Sequence, residues 1–163
     1  MIDFESYVTD IPNFPIDDVT FKDIQPLLSS PKAFRHAIRE MFSKFETIMD
    51  YWVGIDSRGF IFASGLSQFS NKGLKLLRKK GKLPPPTVAR TYELEYGSDT
   101  LEIQPGTGKV VIVDDVYATG GTMDAAEQLC KDAGYDVIGK VVFIDLDFLH
   151  GPTDVKSVIK YEA

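Results

Sequence analysis

The sequence predicts an α/β fold in which helices flank an open, mainly parallel sheet. Short continuous apolar runs, such as residues 51–55 and 110–113, have the length of buried strands. Between such runs, apolar residues recur every three or four positions, which is typical of amphipathic helices. Because strands that alternate with helices form parallel sheets, these two observations set the fold class. The alternating polar and apolar side chains of residues 87–104 predict an additional β-hairpin.

The first half of the chain contains an N-terminal cap, two helices and two strands by these criteria. Residues 1–10 are expected to form a short helix that closes before Pro12. Ser30 followed by Pro31 is typical of a helix start. Apolar residues then follow at helical spacing: Phe34, Ala37, Ile38, Met41, Phe42 and Phe45. The next elements are a strand at 51–55, a turn at 57–59 that leads into a helix, and a strand at 74–77.

The second half begins with the hairpin, whose bend is expected at Gly97–Asp99. Residues 105–108 form a turn into the strand at 110–113. A helix follows, with its core face at Ala125, Ala126, Leu129, Cys130 and Ala133, and Gly134 ends it. A strand at 136–145 and an edge strand at 155–161 complete the sheet. No linker divides the chain, so residues 1–163 are assigned to a single domain.

Composition excludes several classes of protein. A net charge of −6 argues against a nucleic-acid partner, which usually selects a basic surface. A single cysteine, Cys130, excludes an internal disulfide. No apolar run approaches the roughly 20 residues of a membrane span, so no membrane partner and a cytoplasmic location are expected. His36 and His150 are expected at the surface.

The stretch VVIVDDVYATGGT, residues 110–122, places two acids and then a small-residue turn after a buried strand. The backbone N–H groups of Thr119–Thr122 lie at a helix start, where they have no partners inside the helix and can bind a phosphate. Asp114 and Asp115 would repel that phosphate, so ribose hydroxyls or a hydrated Mg²⁺ are their natural partners. The alternative is a buried strand with an acidic turn and an ordinary helix cap.

Two further segments supply cations to the same edge of the predicted sheet. The turn in GIDSRGF, residues 54–60, carries Arg58, whose planar guanidinium suits a phosphate. RKKGK, residues 78–82, is a cluster of cations in an acidic chain, although a solvated basic loop has the same composition. One helix-terminus site and one cationic site suit a ligand with two separated phosphate groups around a sugar.

Residues 110–122 resemble the motif with which the type I phosphoribosyltransferase family binds phosphoribosyl diphosphate (PRPP). Four further segments resemble the adenine-specific branch of that family: 11–23, 54–66, 78–87 and 92–104. The resemblance implies the family's fold, with the hairpin as a hood over the site. It also implies an enzyme that converts adenine and PRPP to AMP and pyrophosphate, with Mg²⁺ as cofactor.

The resemblance also implies a role for each matching residue. The ribose and its charge would be handled by Asp114 and Asp115, the 5′-phosphate by Ala118, Thr119, Gly120, Gly121 and Thr122, and the pyrophosphate by Asp56, Ser57, Arg58, Arg78, Lys79 and Lys82. The base would meet Thr20, Phe21, Lys22 and Val116, although Phe21 also suits a core position. Glu95 would move the proton of the base, and Tyr96 would close the hood. Mg²⁺ would arrive with PRPP, and a water-mediated contact to Asp114 or Asp115 is open. The Asp56–Ser57 peptide would be cis.

Three features depart from the family pattern. Lys22 replaces an arginine, Tyr117 replaces an aliphatic residue, and the connection from Gln104 to Lys109 is shorter. These departures leave two alternatives open, transfer to another purine such as hypoxanthine or guanine, and a regulatory module that binds PRPP without catalysis. Relatives are typically dimers, so a homodimer is expected, in which some of the cations could serve a neighbouring subunit.

Overall fold

Nine strands and four α-helices are seen in the computed structural model, which describes residues 1–45, 48–94 and 97–162. The strands are β1 (Thr9–Ile11), β2 (Phe21–Asp23), β3 (Tyr51–Ile55), β4 (Gly73–Lys79), β5 (Val88–Leu94), β6 (Gly97–Ile103), β7 (Lys109–Tyr117), β8 (Asp136–Leu146) and β9 (Lys156–Tyr161). The helices are α1 (Gln25–Leu28), α2 (Pro31–Ser43), α3 (Gly59–Ser70) and α4 (Gly121–Asp132), with short 3-10 helices at Phe4–Tyr7 and Asp147–Leu149.

Seven of the strands form one sheet in the order β5-β6-β4-β3-β7-β8-β9. The pairs among β4, β3, β7, β8 and β9 are parallel, whereas β6 pairs antiparallel with both β4 and β5. The prediction of a mainly parallel sheet with an added hairpin is therefore confirmed. The edge position predicted for the last strand is confirmed by β9.

The sheet separates two hydrophobic clusters, because successive side chains of a strand point to opposite faces. Trp52 packs with α2 and α3 on one face, and the next residue, Val53, packs with α4 on the other. Ser30 caps α2 as predicted, since its Oγ accepts from the Ala33 N–H at 3.1 Å. No helix in the described part of the chain is long and apolar enough to cross a membrane.

The N-terminal helix was predicted too long. Only Phe4–Tyr7 is helical, as a single 3-10 turn, and Thr9–Ile11 is the strand β1. Antiparallel pairing of β1 with β2 in a separate two-stranded sheet satisfies the backbone that a longer helix would have used.

Two strand boundaries also differ from the predictions. β7 does not end before the acids but continues through Asp114 and Asp115 to Tyr117, because β8 pairs with it as far as Asp145. The hairpin does not bend at Gly97–Asp99, because Leu94 pairs with Gly97 and those residues already belong to β6.

The surface position predicted for His150 is wrong. Its side chain is only 5% exposed and bonds to the buried Asp145. Cys130 lies on the buried face of α4 as expected, and burial raises the pKa of its thiol to about 12.

Candidate active site

The carboxyl end of β7 has one free edge, and this edge carries the candidate site. β3 accompanies β7 only as far as the pair Gly54 and Val113, whereas β8 continues to Tyr117. From Asp114 onward, β7 is therefore paired with a strand on one side only, the side of β8. Ligands of open parallel sheets bind where strands end in this way.

Asp114 and Asp115 occupy this edge in different environments. Burial, and then the neighbouring charge of Asp115, raise the pKa of Asp114 well above its ordinary value. The Asp115 N–H donates to Asp114 Oδ1 at 2.9 Å, which opposes this shift. Asp115 is itself buried, at 5% exposure, and its Oδ2 lies 2.7 Å from Arg58 Nε in an ion pair. One cation thus offsets two adjacent carboxylates.

The turn between β3 and α3 places Arg58 against β7. Its Asp56–Ser57 peptide is cis, as the family resemblance implied. The backbone of Gly59 approaches β7 so closely that a Cβ there would lie 2.7 Å from the Val113 carbonyl oxygen. Glycine at this position allows the turn to bring Arg58 to Asp115. The Arg58 guanidinium also lies over the Phe21 ring, with Cζ 4.7 Å from the ring centroid.

A polar cavity of about 210 Å³ opens beside the two acids. Eight residues from the elements around it line most of its wall: Asp56, Ser57, Arg58, Lys79, Tyr92, Asp114, Asp115 and Thr122. The structure therefore brings together residues that are distant in sequence, including the two cations Arg58 and Lys79.

The basic segment 78–82 divides between strand and turn. Lys79, at the end of β4, lines the cavity and forms an ion pair with Asp99 of β6, and this hydrogen bond raises the pKa of Lys79. Arg78 Nε lies 3.4 Å from Asp56 Oδ2. Neither Arg78 nor Lys82 is among the described residues that line this cavity.

A second cavity, of about 100 Å³, adjoins the first and shares Asp114 and Thr122 with it. It is enclosed by the turn Ala118–Thr122 that leads into α4, together with Val116 and Tyr117. Gly120 has φ +97°, in the left-handed region that glycine adopts without strain. The N-terminus of α4 therefore presents N–H groups without partners inside the helix to a small cavity with a mixed polar and apolar lining, and such donors suit a phosphate.

The hairpin contributes a residue that sequence reasoning missed. Tyr92 lines the larger cavity, and Thr122 Oγ1 donates to its hydroxyl at 3.4 Å. Tyr92 and Val88 are the half-buried members of β5, and they lie on one face of the strand because they are an even number of residues apart. This alternation was a signal in the sequence that Tyr92 faces inward. Glu95 and Tyr96, the hood residues implied by the resemblance, lie outside the residues that the structure describes.

The base-binding candidates occupy two places. Phe21, in β2, contacts the site through Arg58, and Val116 lines the smaller cavity. Thr20 is exposed just before β2. The Lys22 side chain instead bonds Asp10 at 2.7 Å and lies over the Tyr161 ring, so it joins the N-terminal sheet to β9.

Comparison with known proteins places the chain among characterised sequences. A family model described as "Phosphoribosyl transferase domain" matches residues 22–160. The adenine phosphoribosyltransferase of Bdellovibrio bacteriovorus is 43% identical over 98% of this chain and 100% of its own length. The adenine phosphoribosyltransferase structure from Rhodothermus marinus superposes with a TM-score of 0.88 at 38% identity, covering 97% of this chain and 96% of that one. The Saccharomyces cerevisiae enzyme, complexed with an imino-altritol bisphosphate and adenine, gives 0.83 at 36% identity over 90% and 89% of the two chains.

Proposed function

From the premise that this chain belongs to the phosphoribosyl transferase domain family, we propose that it transfers the 5-phosphoribosyl group from PRPP to adenine. The products are AMP and pyrophosphate, as in purine salvage. The enzymes from Bdellovibrio bacteriovorus and Saccharomyces cerevisiae are named for this activity, and the latter was solved with adenine bound. Similarity over nearly the full length supports carrying that activity to this chain.

One observation carries the proposal, namely two adjoining cavities that share Asp114 and Thr122. The smaller one ends at the N-terminus of α4, where a 5′-phosphate has free N–H donors. The larger one carries Arg58 and Lys79, which suit a pyrophosphate. The ribose of PRPP would lie where the cavities meet, next to Asp114 and Asp115.

The two carboxylates then have a role in the reaction. The adenine N9 forms a bond to the ribose C1′ while the bond from C1′ to the pyrophosphate oxygen breaks, and positive charge develops on the ribose ring. Asp114 and Asp115 stabilise this charge and accept from the ribose hydroxyls. Arg58 remains 37% exposed while it pairs with Asp115, so its other nitrogens can bind the departing pyrophosphate.

The donor set of the larger cavity fits Mg²⁺. Hard cations prefer carboxylate oxygens and water, and the cavity offers the carboxylates of Asp114 and Asp115, of which Asp115 Oδ2 is already paired with Arg58. Asp114 or Asp115 would hold the ion through water. A bound Mg²⁺ neutralises the charge of the diphosphate. We therefore propose Mg²⁺ as the cofactor.

The assignments to the base rest on the resemblance more than on the cavities. Phe21 and Val116 would flank the purine, and backbone groups near Thr20 and Lys22 would bind its amino edge. Glu95 would take the proton of the base. A homodimer, a cytoplasmic location and a single domain over residues 1–163 also stay predictions.

A base-specificity assay tests the proposed function. Adenine, hypoxanthine and guanine are each incubated with PRPP and Mg²⁺, and nucleotide formation is followed by absorbance. We expect AMP formation from adenine and rates at least about 100-fold lower with the other bases. Turnover of hypoxanthine without turnover of adenine would select the other purine activity. PRPP binding without a nucleotide product from any purine would select the regulatory module.

A further inference from the structure

The phosphate-binding turn rests on the ring of Tyr117. Tyr117 ends β7 and is 8% exposed, and it forms part of the wall of the smaller cavity. A Cβ added to Gly120 would lie 2.8 Å from the Tyr117 hydroxyl and 3.3 Å from Cζ. The tyrosine and the backbone of Gly120 are thus in close contact, at the residue that caps α4. Movement of the ring would move the donors of the turn.

Thr153 and His150 in turn contact the Tyr117 side chain. Thr153 Oγ1 donates to its hydroxyl at 3.4 Å. The His150 ring packs edge-on against the Tyr117 ring, with 4.6 Å between centroids and an interplanar angle of 74°. Tyr117 also lies opposite Asp145 in the register of β7 and β8.

His150 is fixed by bonds at both ring nitrogens. Nδ1 lies 2.6 Å from the Gly151 carbonyl oxygen, and Nε2 lies 2.6 Å from Asp145 Oδ1. A carbonyl only accepts, so Nδ1 carries a proton, and Nε2 shares a hydrogen bond with the Asp145 carboxyl group. These two bonds raise the pKa of His150. A second acid, Asp147, lies close to this pair, with a carboxylate oxygen within 4.8 Å of Asp145 and His150. Asp145 is only 1% exposed.

We propose that Tyr117 is a positioning residue for the 5′-phosphate, held in place by the buried pair of Asp145 and His150. This inference rests on the proposed function, because it assigns the phosphate to the turn Ala118–Thr122. Tyr117 touches the turn and not the reacting atoms. Its removal therefore weakens binding of the phosphate end of the substrate and leaves the base end unaffected.

Three variants test the proposal. In Tyr117→Ala the support beneath Gly120 is lost, and we expect about a tenfold loss of ribose 5-phosphate affinity in calorimetry. The KM for PRPP should rise by a similar factor, and the KM for adenine by less than about twofold. Tyr117→Phe restores the ring and should recover most of the affinity. Tyr135→Ala is the matched control, since Tyr135 is equally buried and packs on Gly106 away from both cavities.

The control separates positioning from general stability. Tyr135→Ala should lower the melting temperature as much as Tyr117→Ala while the KM for PRPP stays at the wild-type value. Equal increases in the KM for PRPP in both variants would overturn the proposal. Equal increases in the KM for PRPP and for adenine in Tyr117→Ala would overturn it as well.

A further variant tests the proposal if Tyr117→Ala does not fold. The double variant Asp145→Asn with His150→Gln replaces both partners of this contact together, so neither titratable side chain is left without the other. Its ribose 5-phosphate affinity should fall by about threefold. Wild-type affinity in this double variant would overturn the proposal. Ribose 5-phosphate binding is independent of the base, so this measurement decides the proposal even if wild-type protein converts no purine.

Discussion

At the scale of single residues, Asp114 and Asp115 differ in how their charges are compensated, which bears on the role proposed for them with the ribose. Asp115 is compensated by Arg58, whereas burial raises the pKa of Asp114. A buried carboxylate without its own cation destabilises the fold. Such a cost is expected where charge is needed for catalysis.

Asp114→Asn should therefore stabilise the protein while it impairs the enzyme. Because the pKa of Asp114 is raised on folding, the native state binds the proton more tightly than the unfolded chain does. The contribution of Asp114 to the free energy of unfolding then decreases as pH rises above the ordinary aspartate pKa of about 3.9. The variant has no carboxyl group at this position, so it does not lose this contribution. At pH 7 we expect the free energy of unfolding to increase by about 1 kcal/mol. The kcat/KM should fall by at least about tenfold.

Urea unfolding of wild type and Asp114→Asn between pH 4 and 7.5 measures this difference, with about 0.3 kcal/mol as the resolution needed. The gain should shrink toward the acidic end of this range. The exposed Asp136→Asn is the control, since its side chain lies away from the site. An Asp114→Asn variant that is no more stable than wild type at pH 7 contradicts the account.

Single residues also mark the limit of what the sequence could predict. The acids and the glycine turn were predictable because their adjacent positions suit phosphate and ribose. Tyr92 was predictable only in part, because the pattern of β5 could not show that Thr122 lies against its hydroxyl. The role of His150 was not predictable, because its contact with Asp145, five residues earlier, depends on the short 3-10 helix Asp147–Leu149 between them.

At the scale of elements, the end of β4 decides which cations reach the larger cavity. The turn after β4 is held to β6, where Glu102 Oε1 accepts from the Gly81 N–H at 2.6 Å and Oε2 accepts from Thr87 Oγ1. In this arrangement Lys79 lines the cavity. The sequence predicted the basic segment but could not say which members face the site, since that depends on where the strand ends.

Lys79→Met should therefore weaken PRPP binding more than substitution of its neighbour does. A hydrogen bond to a charged group contributes about 1.5–3 kcal/mol, so the KM for PRPP should rise at least about tenfold. Lys80→Met, in the same turn but outside the cavity, is the control and should keep the wild-type KM. Steady-state kinetics at varied PRPP concentration measures both.

Asp99→Asn separates the two possible roles of Lys79. It breaks the ion pair that joins β4 to β6 but leaves the lysine charge in the cavity. If Lys79 binds pyrophosphate directly, Asp99→Asn has a much smaller effect than Lys79→Met. Equal increases in the KM for PRPP would instead assign Lys79 to holding the hairpin.

At the scale of the whole molecule, the described chain supplies only part of the predicted set of cations to its own two cavities. Arg78 and Lys82 are absent from the described lining of both cavities, although Arg58 and Lys79 are present. The parallel sheet and its hairpin follow from strand and helix patterns within the chain. Contacts between chains leave no such pattern, which is why the sequence left open whether some cations serve a neighbouring subunit.

Mixing two inactive variants distinguishes cations that act on the site of their own chain from cations that act on the site of a neighbouring subunit. One variant carries Asp114→Asn and Asp115→Asn, and the other carries Arg78→Ala and Lys82→Ala. In a mixed homodimer, the second subunit keeps both acids and would receive Arg78 and Lys82 from the first. If these cations act across the dimer, random exchange of equal amounts restores about a quarter of the wild-type activity, because half of the dimers are mixed and each holds one intact site.

The result depends on exchange between subunits, so the two variants are co-expressed with different affinity tags and the mixed species is purified through both. One of the two sites of this purified dimer is intact, so about half of the wild-type activity is expected from it. Each variant purified alone is the control for residual activity. Cations that act within their own subunit leave the mixed dimer inactive, because its first site lacks the acids and its second lacks Arg78 and Lys82. A monomer in sedimentation velocity would contradict the homodimer itself, and both cations would then have to act, if at all, on the site of their own chain.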